Sequence, residues 1–135
     1  MCWMNLHVVV MICVFLIFSE EGWAVEPDCM RASTSQEIFE CSNLTRRVME
    51  REVLISKKNL LRRIKMQYIN DVPRGIEYSG VVSDSQRLWR KLVDKDCRVE
   101  TAEIEPGTQA YEATKNNCVV RKLKERSTYL DSLME

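Results

Sequence analysis

The sequence predicts an all-α fold, a small antiparallel bundle of three main helices braced by two disulfides. Three observations carry that expectation. Apolar residues recur at spacings of mostly three, four or seven over long stretches, the period of a helix face. Residue sets suited to capping a helix N-terminus stand near the starts of those stretches. Four cysteines remain once an N-terminal export segment is set aside.

The export segment comes first in the chain. Val8 to Phe18 is an unbroken apolar run of 11 residues. That is too short to span a bilayer and suits the h-region of a signal peptide. Gly22 and Ala24 supply the small residues a signal peptidase needs, so residues 1–24 read as a signal peptide cleaved after Ala24. The n-region departs from the usual pattern in having no Lys or Arg. Residues 25–135 then form one helical domain, secreted or periplasmic. Cleavage removes His7, the only histidine, together with Cys2 and Cys13. It also removes Glu20 and Glu21 but no Lys or Arg. The full chain has 20 basic and 20 acidic residues, so 20 basic residues face 18 acidic ones in the mature chain, a net charge of +2. That near balance argues against a nucleic-acid partner, which calls for a strongly basic face.

Four cysteines, Cys29, Cys41, Cys97 and Cys118, in a short exported chain read as two disulfides. Three pairings are open. The local one, Cys29–Cys41 with Cys97–Cys118, is favoured because each bridge closes a short loop between neighbouring elements. No pair has the close spacing of a zinc site, and no metal or other cofactor is expected.

The helices follow in order. Thr34 and Glu37 have the form of a capping box. Behind them runs the pattern Ile38, Cys41, Leu44, Val48, Ile55, Leu61, Ile64 and Tyr68, which predicts a first helix from Gln36 to Ile69, about 50 Å long. Asn70 to Ser79, with Pro73 and Gly75, reads as a loop. A second helix is expected to start between Gly80 and Asp84, with Ser83 to Gln86 as another capping box. Its apolar face is Val82, Leu88 or Trp89, Leu92 and Val93, and it ends near Ala102. Glu105-Pro106-Gly107 turns the chain. Thr108 caps a third helix from Gln109 to about Met134, striped by Ala113, Val120, Leu123, Leu130 and Met134. There is no internal repeat and β signals are weak throughout.

The most specific string is Gln86-Arg87-Leu88-Trp89-Arg90-Lys91-Leu92-Val93-Asp94-Lys95-Asp96-Cys97. Taken with Asp28-Cys29, Thr34 and Cys41 before it and Cys118, Arg126 and Leu130 after it, the chain resembles the lysozyme inhibitor LprI N-terminal domain family. The resemblance covers residues 28 to 130. It departs from the family pattern at Leu92 and Val93, where an aromatic and an Arg are usual, at Leu123, where a threonine is usual, and around Val53 to Lys58, where a middle motif is not clear. The resemblance implies an exported helical domain and a protein partner, with lysozyme as the candidate.

Gln86, Arg87, Trp89, Asp94 and Arg126 read as a set that fixes the fold. Trp89 suits a core position with its N–H bonded. Gln86, Arg90 and Asp94 share one helix face and can pair with one another. Arg126 is expected to reach Asp94 or Glu100. Charge is uneven along the chain. Arg46, Arg47, Arg51, Lys57, Lys58, Arg62, Arg63 and Lys65 are opposed over that stretch only by Glu50 and Glu52. Acidic residues dominate from Asp94 to Glu105. A charged helix face is usually just solvated, but the pattern also suits a two-signed surface. There Glu103 and Glu105 would steer a cationic lysozyme and Arg74 would pair with a carboxylate in its cleft. Asn43-Leu44-Thr45 matches a glycosylation sequon but falls inside a predicted helix, so it is not counted as a site.

Catalysis is not expected. Without histidine the mature chain cannot run Ser-His-Asp or Cys-His chemistry. It has no glycine-rich phosphate loop and no C-x-x-C motif. Asp94 and Asp96 stand two apart on a helix and point in different directions. The expected class is therefore a binding protein that occludes a lysozyme cleft. The alternatives are an envelope structural or stress protein, whose cationic first helix meets anionic lipid or glycan, and an immunity protein for a secreted toxin.

Overall fold

The computed structural model describes residues 29–134, so the expected signal peptide lies outside the described residues. Three helices make up the fold: α1, Ser35–Gln67; α2, Val72–Glu100; and α3, Gln109–Asp131. No strand occurs among the described residues. Two disulfides, Cys29–Cys41 and Cys97–Cys118, brace them. The first ties the lead segment to α1 and the second ties α2 to α3, in the local pairing that spacing favours.

α1 starts where its capping box is written. The Glu37 N–H donates to Thr34 Oγ1 at 3.2 Å, and the Thr34 N–H donates back to Glu37 Oε2 at 3.0 Å. The helix closes at Tyr68, whose N–H donates to the Ile64 carbonyl.

The start of α2 corrects the sequence reading. Asn70 to Ser79 is not a loop, because α2 begins eight or more residues early, at Val72. Asp71 caps it by accepting from the Arg74 N–H at 3.3 Å. Pro73 sits in the first turn, where no N–H is needed and its φ is already helical. Gly75 answers a close approach, since a Cβ there would lie 3.3 Å from Tyr68 Cβ. Residues that break a helix interior are at home at a helix start. Ser83 to Gln86 consequently lie well inside α2 and cap nothing. α2 ends at Glu100, with the buried Thr101 hydroxyl donating to the Cys97 carbonyl at 3.0 Å. Gly107, at φ +81°, makes the turn that Pro106 and Gly107 predict. Thr108 then caps α3 by accepting from the Tyr111 N–H. α3 stops at Asp131, short of Met134.

Cross-helix pairs define the topology. Gln36 meets Gln109, Ser42 meets Asn116, Ser56 meets Ser127 and Arg63 meets Leu133. Both numbers rise together, so α1 and α3 are parallel neighbours. α2 runs antiparallel to both, as short connections require. The core is Val53, Leu60 and Ile64 of α1 with Val119, Leu123 and Leu130 of α3, closed by Val93 and the Cys97–Cys118 bridge.

The α1 stripe differs from the expected one. Cys41 and Ile64 are buried, but Ile38, Val48 and Ile55 are exposed. The seam carries small and polar residues that an apolar count passes over. Buried Asn116 donates to Ser42 Oγ at 3.1 Å and Asn43 Oδ1 at 2.9 Å, and accepts from Arg46 Nη1 at 3.1 Å. Ser56 bonds Ser127 and Asp131. Arg63 donates to the carbonyls of Leu130, Asp131 and Leu133, closing the end of α3 where cations are favoured. In α2 the inner face is Val93, with Val82 and Trp89 partly covered, while Leu88 and Leu92 point outward. In α3, Ala113, Leu123 and Leu130 are buried as expected, but Met134 is exposed.

Two stability outcomes are expected. Replacing Cys97 and Cys118 together by Ser costs about 3 kcal/mol, because the bridge closes a 21-residue separation within the core. Leu60→Ala costs about 3 kcal/mol as a wholly buried side chain is lost. Denaturant unfolding of the oxidised protein measures both.

Candidate partner-binding site

The set Gln86, Trp89 and Arg126 meets at one junction between α2 and α3. Arg126 Nε donates to buried Gln86 Oε1 at 3.0 Å and Nη2 donates to Ser85 Oγ at 3.0 Å. Its guanidinium lies 5.4 Å from the centre of the Trp89 ring and 5.3 Å from that of Tyr129. Sandwiched between two aromatic faces, the cation is well placed for cation–π attraction. Burial lowers its pKa. Arg126 thus reaches neither Asp94 nor Glu100, and this corrects the sequence reading. Lys115 takes Asp94 at 3.0 Å and Arg121 takes Glu100 at 2.6 Å. Gln86 does not pair along its own helix either, since it turns inward, and its Nε2 has no hydrogen-bond partner among the described residues. Arg87 pairs with Asp84 at the surface. The groove beside this junction is only about 140 Å³ and is lined by Arg46, Glu50, Asp94 and Lys115, which are ion-paired among themselves. The first of these pairs lies within α1 and the second joins α3 to α2.

The far end of the molecule is different. Where α1 hands over to α2, Tyr68 and Tyr78 stack with ring centres 5.3 Å apart, and Arg74 lies 5.8 Å from the centre of the Tyr68 ring. The Arg74 pKa is raised above its ordinary value, chiefly through a side-chain hydrogen bond with Tyr78. Next to this cluster an apolar cleft of about 390 Å³ is lined by Leu61, Lys65, Tyr68, Ile69, Val72 and Ile76, with Gly75 and Ser79. That volume is in the range of binding clefts. Its walls are open to solvent, Ile76 being 68% exposed. Arg74 over one ring, the two stacked rings and an apolar cleft thus share one surface beside the α2 cap. Of this surface only Arg74 is expected from the sequence. Ile69, Val72 and Ile76 keep helical spacing across Pro73, and that was the available signal.

Glu103 and Glu105 are not part of this surface. They lie in the α2–α3 turn, at the opposite end of α2 and roughly 40 Å from Arg74 by the rise of a 29-residue helix. Among the described residues no group of His, Cys, Asp and Glu is arranged to hold a metal ion. Nor is any described helix long and apolar enough to cross a membrane. Asn43, in the sequon, lies within α1 with its side chain bonded to Asn116.

The sequence profile described as Lysozyme inhibitor LprI matches residues 29–130. The chain belongs to the LprI family. The match takes in both disulfides, the whole of α1 and α2, and α3 up to its last residue but one. A crystal structure of a DUF1311 family protein from Pseudomonas putida KT2440, a member of the same family, is similar. It is 30% identical with a TM-score of 0.69, covering 76% of this chain and 95% of that one. No curated protein matches the chain. In this LprI member the motif residues Gln86, Trp89 and Arg126 sit at the α2–α3 junction, away from the open tip.

Acid is expected to weaken the fold. A hydrogen bond from Lys115 holds the Asp94 carboxyl below its usual range, and backbone N–H groups of Ser33 and Thr34 do the same for Glu37. With folded pKa values below the unfolded ones, about 4, these groups contribute stability above that pH and lose it as pH falls through the folded values. Denaturant midpoints taken from pH 7 to pH 2 should fall below about pH 4. The fall should be shallower in the Glu37→Gln, Asp94→Asn double variant.

Proposed function

We propose that this protein is an exported inhibitor of lysozyme-type glycoside hydrolases that works by occlusion, seating the α1–α2 tip in the substrate cleft. Family membership supports an inhibitor of this kind, and two disulfides suit an extracytoplasmic setting. In this reading residues 1–24 are the signal peptide that delivers it there.

The observation that carries the mechanism is Arg74 held over Tyr68 beside an exposed apolar cleft. Glycoside hydrolases of this class flank the scissile bond with two carboxylates. A planar, permanently charged guanidinium pairs strongly with carboxylate. The aromatic and apolar neighbours supply the desolvated surround that makes such a contact effective. Because the tip is fixed by caps and stacking, little ordering cost remains to be met on binding. Glu103 and Glu105, several Debye lengths away, have little influence on that contact at physiological salt.

A clearing assay of bacterial cell walls by lysozyme tests the reading. Oxidised protein should inhibit. Arg74→Ala and Ile76→Asp should each raise the half-inhibitory concentration about tenfold or more, while charge reversal at Glu103 and Glu105 should change it less than about twofold. Absence of inhibition by the unaltered protein removes the proposal.

One observation favours a second reading, contact with anionic lipid or glycan. Arg47, Arg51, Lys58, Arg62 and Lys65 are exposed and make no ion pair among the described residues, and Leu54 and Ile55 stand exposed among them. Binding to anionic vesicles that fades steeply with salt would support it.

A further inference from the structure

Val81, Leu88, Leu92 and Val99 stand on the outer face of α2, 56%, 57%, 57% and 75% exposed. The helix buries a different face, that of Gln86, Val93 and Cys97. Lys95 and Ser85 complete the outer row, both exposed, with Ser85 at its edge, where its hydroxyl also accepts from Arg126 of α3. The six positions are spaced alternately by four and three residues, the a/d seam of a coiled coil. The row extends about 27 Å along the helix, with no Gly or Pro within it.

This row reads the same from either end. The spacing is unchanged on reversal, and the four apolar residues return to the same places. Two copies of α2 laid antiparallel about a two-fold axis near Arg90 therefore put Val81 against Val99, Leu88 against Leu92 and Ser85 against Lys95 of the second copy. An interface made by one patch with itself is what a two-fold dimer demands. The flanking charges agree with this direction. Asp84 on one copy faces Lys95 and Arg98 on the other, and the Lys95 stem can cover the seam while its ammonium reaches outward. A parallel pair would instead set Lys95 against Lys95 in the seam. One unfavourable contact remains, Lys91 facing its own symmetry mate across the axis.

We propose that the outer face of α2 is a homodimer interface, an antiparallel pair of α2 helices from two copies of this chain. The pairing is independent of the inhibitory reading. It leaves both α1–α2 tips free and pointing in opposite directions, so the dimer presents two of them.

Sedimentation equilibrium of the full oxidised protein tests this. The interface is a single helix pair, smaller than standard recognition sites, so the mass should rise from one copy to two over a range of about 10 µM to 1 mM. Leu88→Glu should weaken association at least about tenfold, the cost of an unpaired charge in the seam, while leaving the circular dichroism melt unchanged because Leu88 is exposed in the single copy. Asp84→Lys should weaken it, and adding Lys95→Glu with Arg98→Glu should restore it. Lys91→Ala should tighten it by relieving the contact at the axis, a gain that misfolding cannot mimic. A single-copy mass throughout overturns the proposal. So does a dimer indifferent to Leu88→Glu and to the charge exchange.

Discussion

Val53, Leu60 and Ile64 of α1 are almost wholly withdrawn from water with Leu123 and Leu130 of α3, and the two parallel helices are clasped at both ends by polar groups. At one end Asn116 satisfies Ser42, Asn43 and Arg46 together; at the other Arg63 collects the last carbonyls of α3. Burying such groups is tolerable only because nearly every donor and acceptor finds a partner. Those partners exist at one register only. A slip of one residue along the seam would leave Asn116 and Ser56 unsatisfied in the interior, so the polar clasps fix the register while the apolar spine supplies the driving force.

α2 is attached to that pair by fewer means, and each is specific. The Cys97–Cys118 bridge pins one end, Arg126 between Trp89 and Tyr129 holds the middle, and the Tyr68–Tyr78 stack holds the hairpin. Because these anchors occupy a narrow face, the opposite side of α2 and the tip at its N-terminus stay open. Rigid attachment with open surfaces is the combination a binding protein needs, since surfaces fixed in advance lose little freedom when a partner arrives.

Helix content, the three-element order and the caps at Thr34 and Thr108 were legible from spacing, which also favoured the local one of three possible disulfide pairings. Local rules govern them: a capping box needs only residues three apart, and short loops bring neighbouring cysteines together. The exact seam was not legible. Ile38, Val48 and Ile55 keep helical spacing yet face water, while Ser42, Ser56 and Asn116 are buried. An apolar count ranks residues by type, whereas the interface selects them by fit, and small hydroxyl residues let two backbones approach. Arg126 shows the same limit. Its partners were sought among carboxylates, but Gln86 and two aromatic rings hold it, because Lys115 and Arg121 had already taken the acids.

By itself, then, the order of residues determined an all-helical chain with three long segments, their main stops and the cysteines that staple them, since hydrogen bonding within a helix and its caps depends on near neighbours. That Pro73 and Gly75 begin a helix rather than end one lay within local rules, since Asp71 caps that turn from three residues away and Pro suits a first turn. To this the tertiary structure adds the crowding of Gly75 by Tyr68 of α1. It alone assembled Arg74, Tyr68, Tyr78 and the Ile76 cleft into one surface and sent Glu103 and Glu105 to the other end. Such groupings depend on how helices lie against each other, which burial and polar satisfaction across distant segments determine and no local pattern encodes.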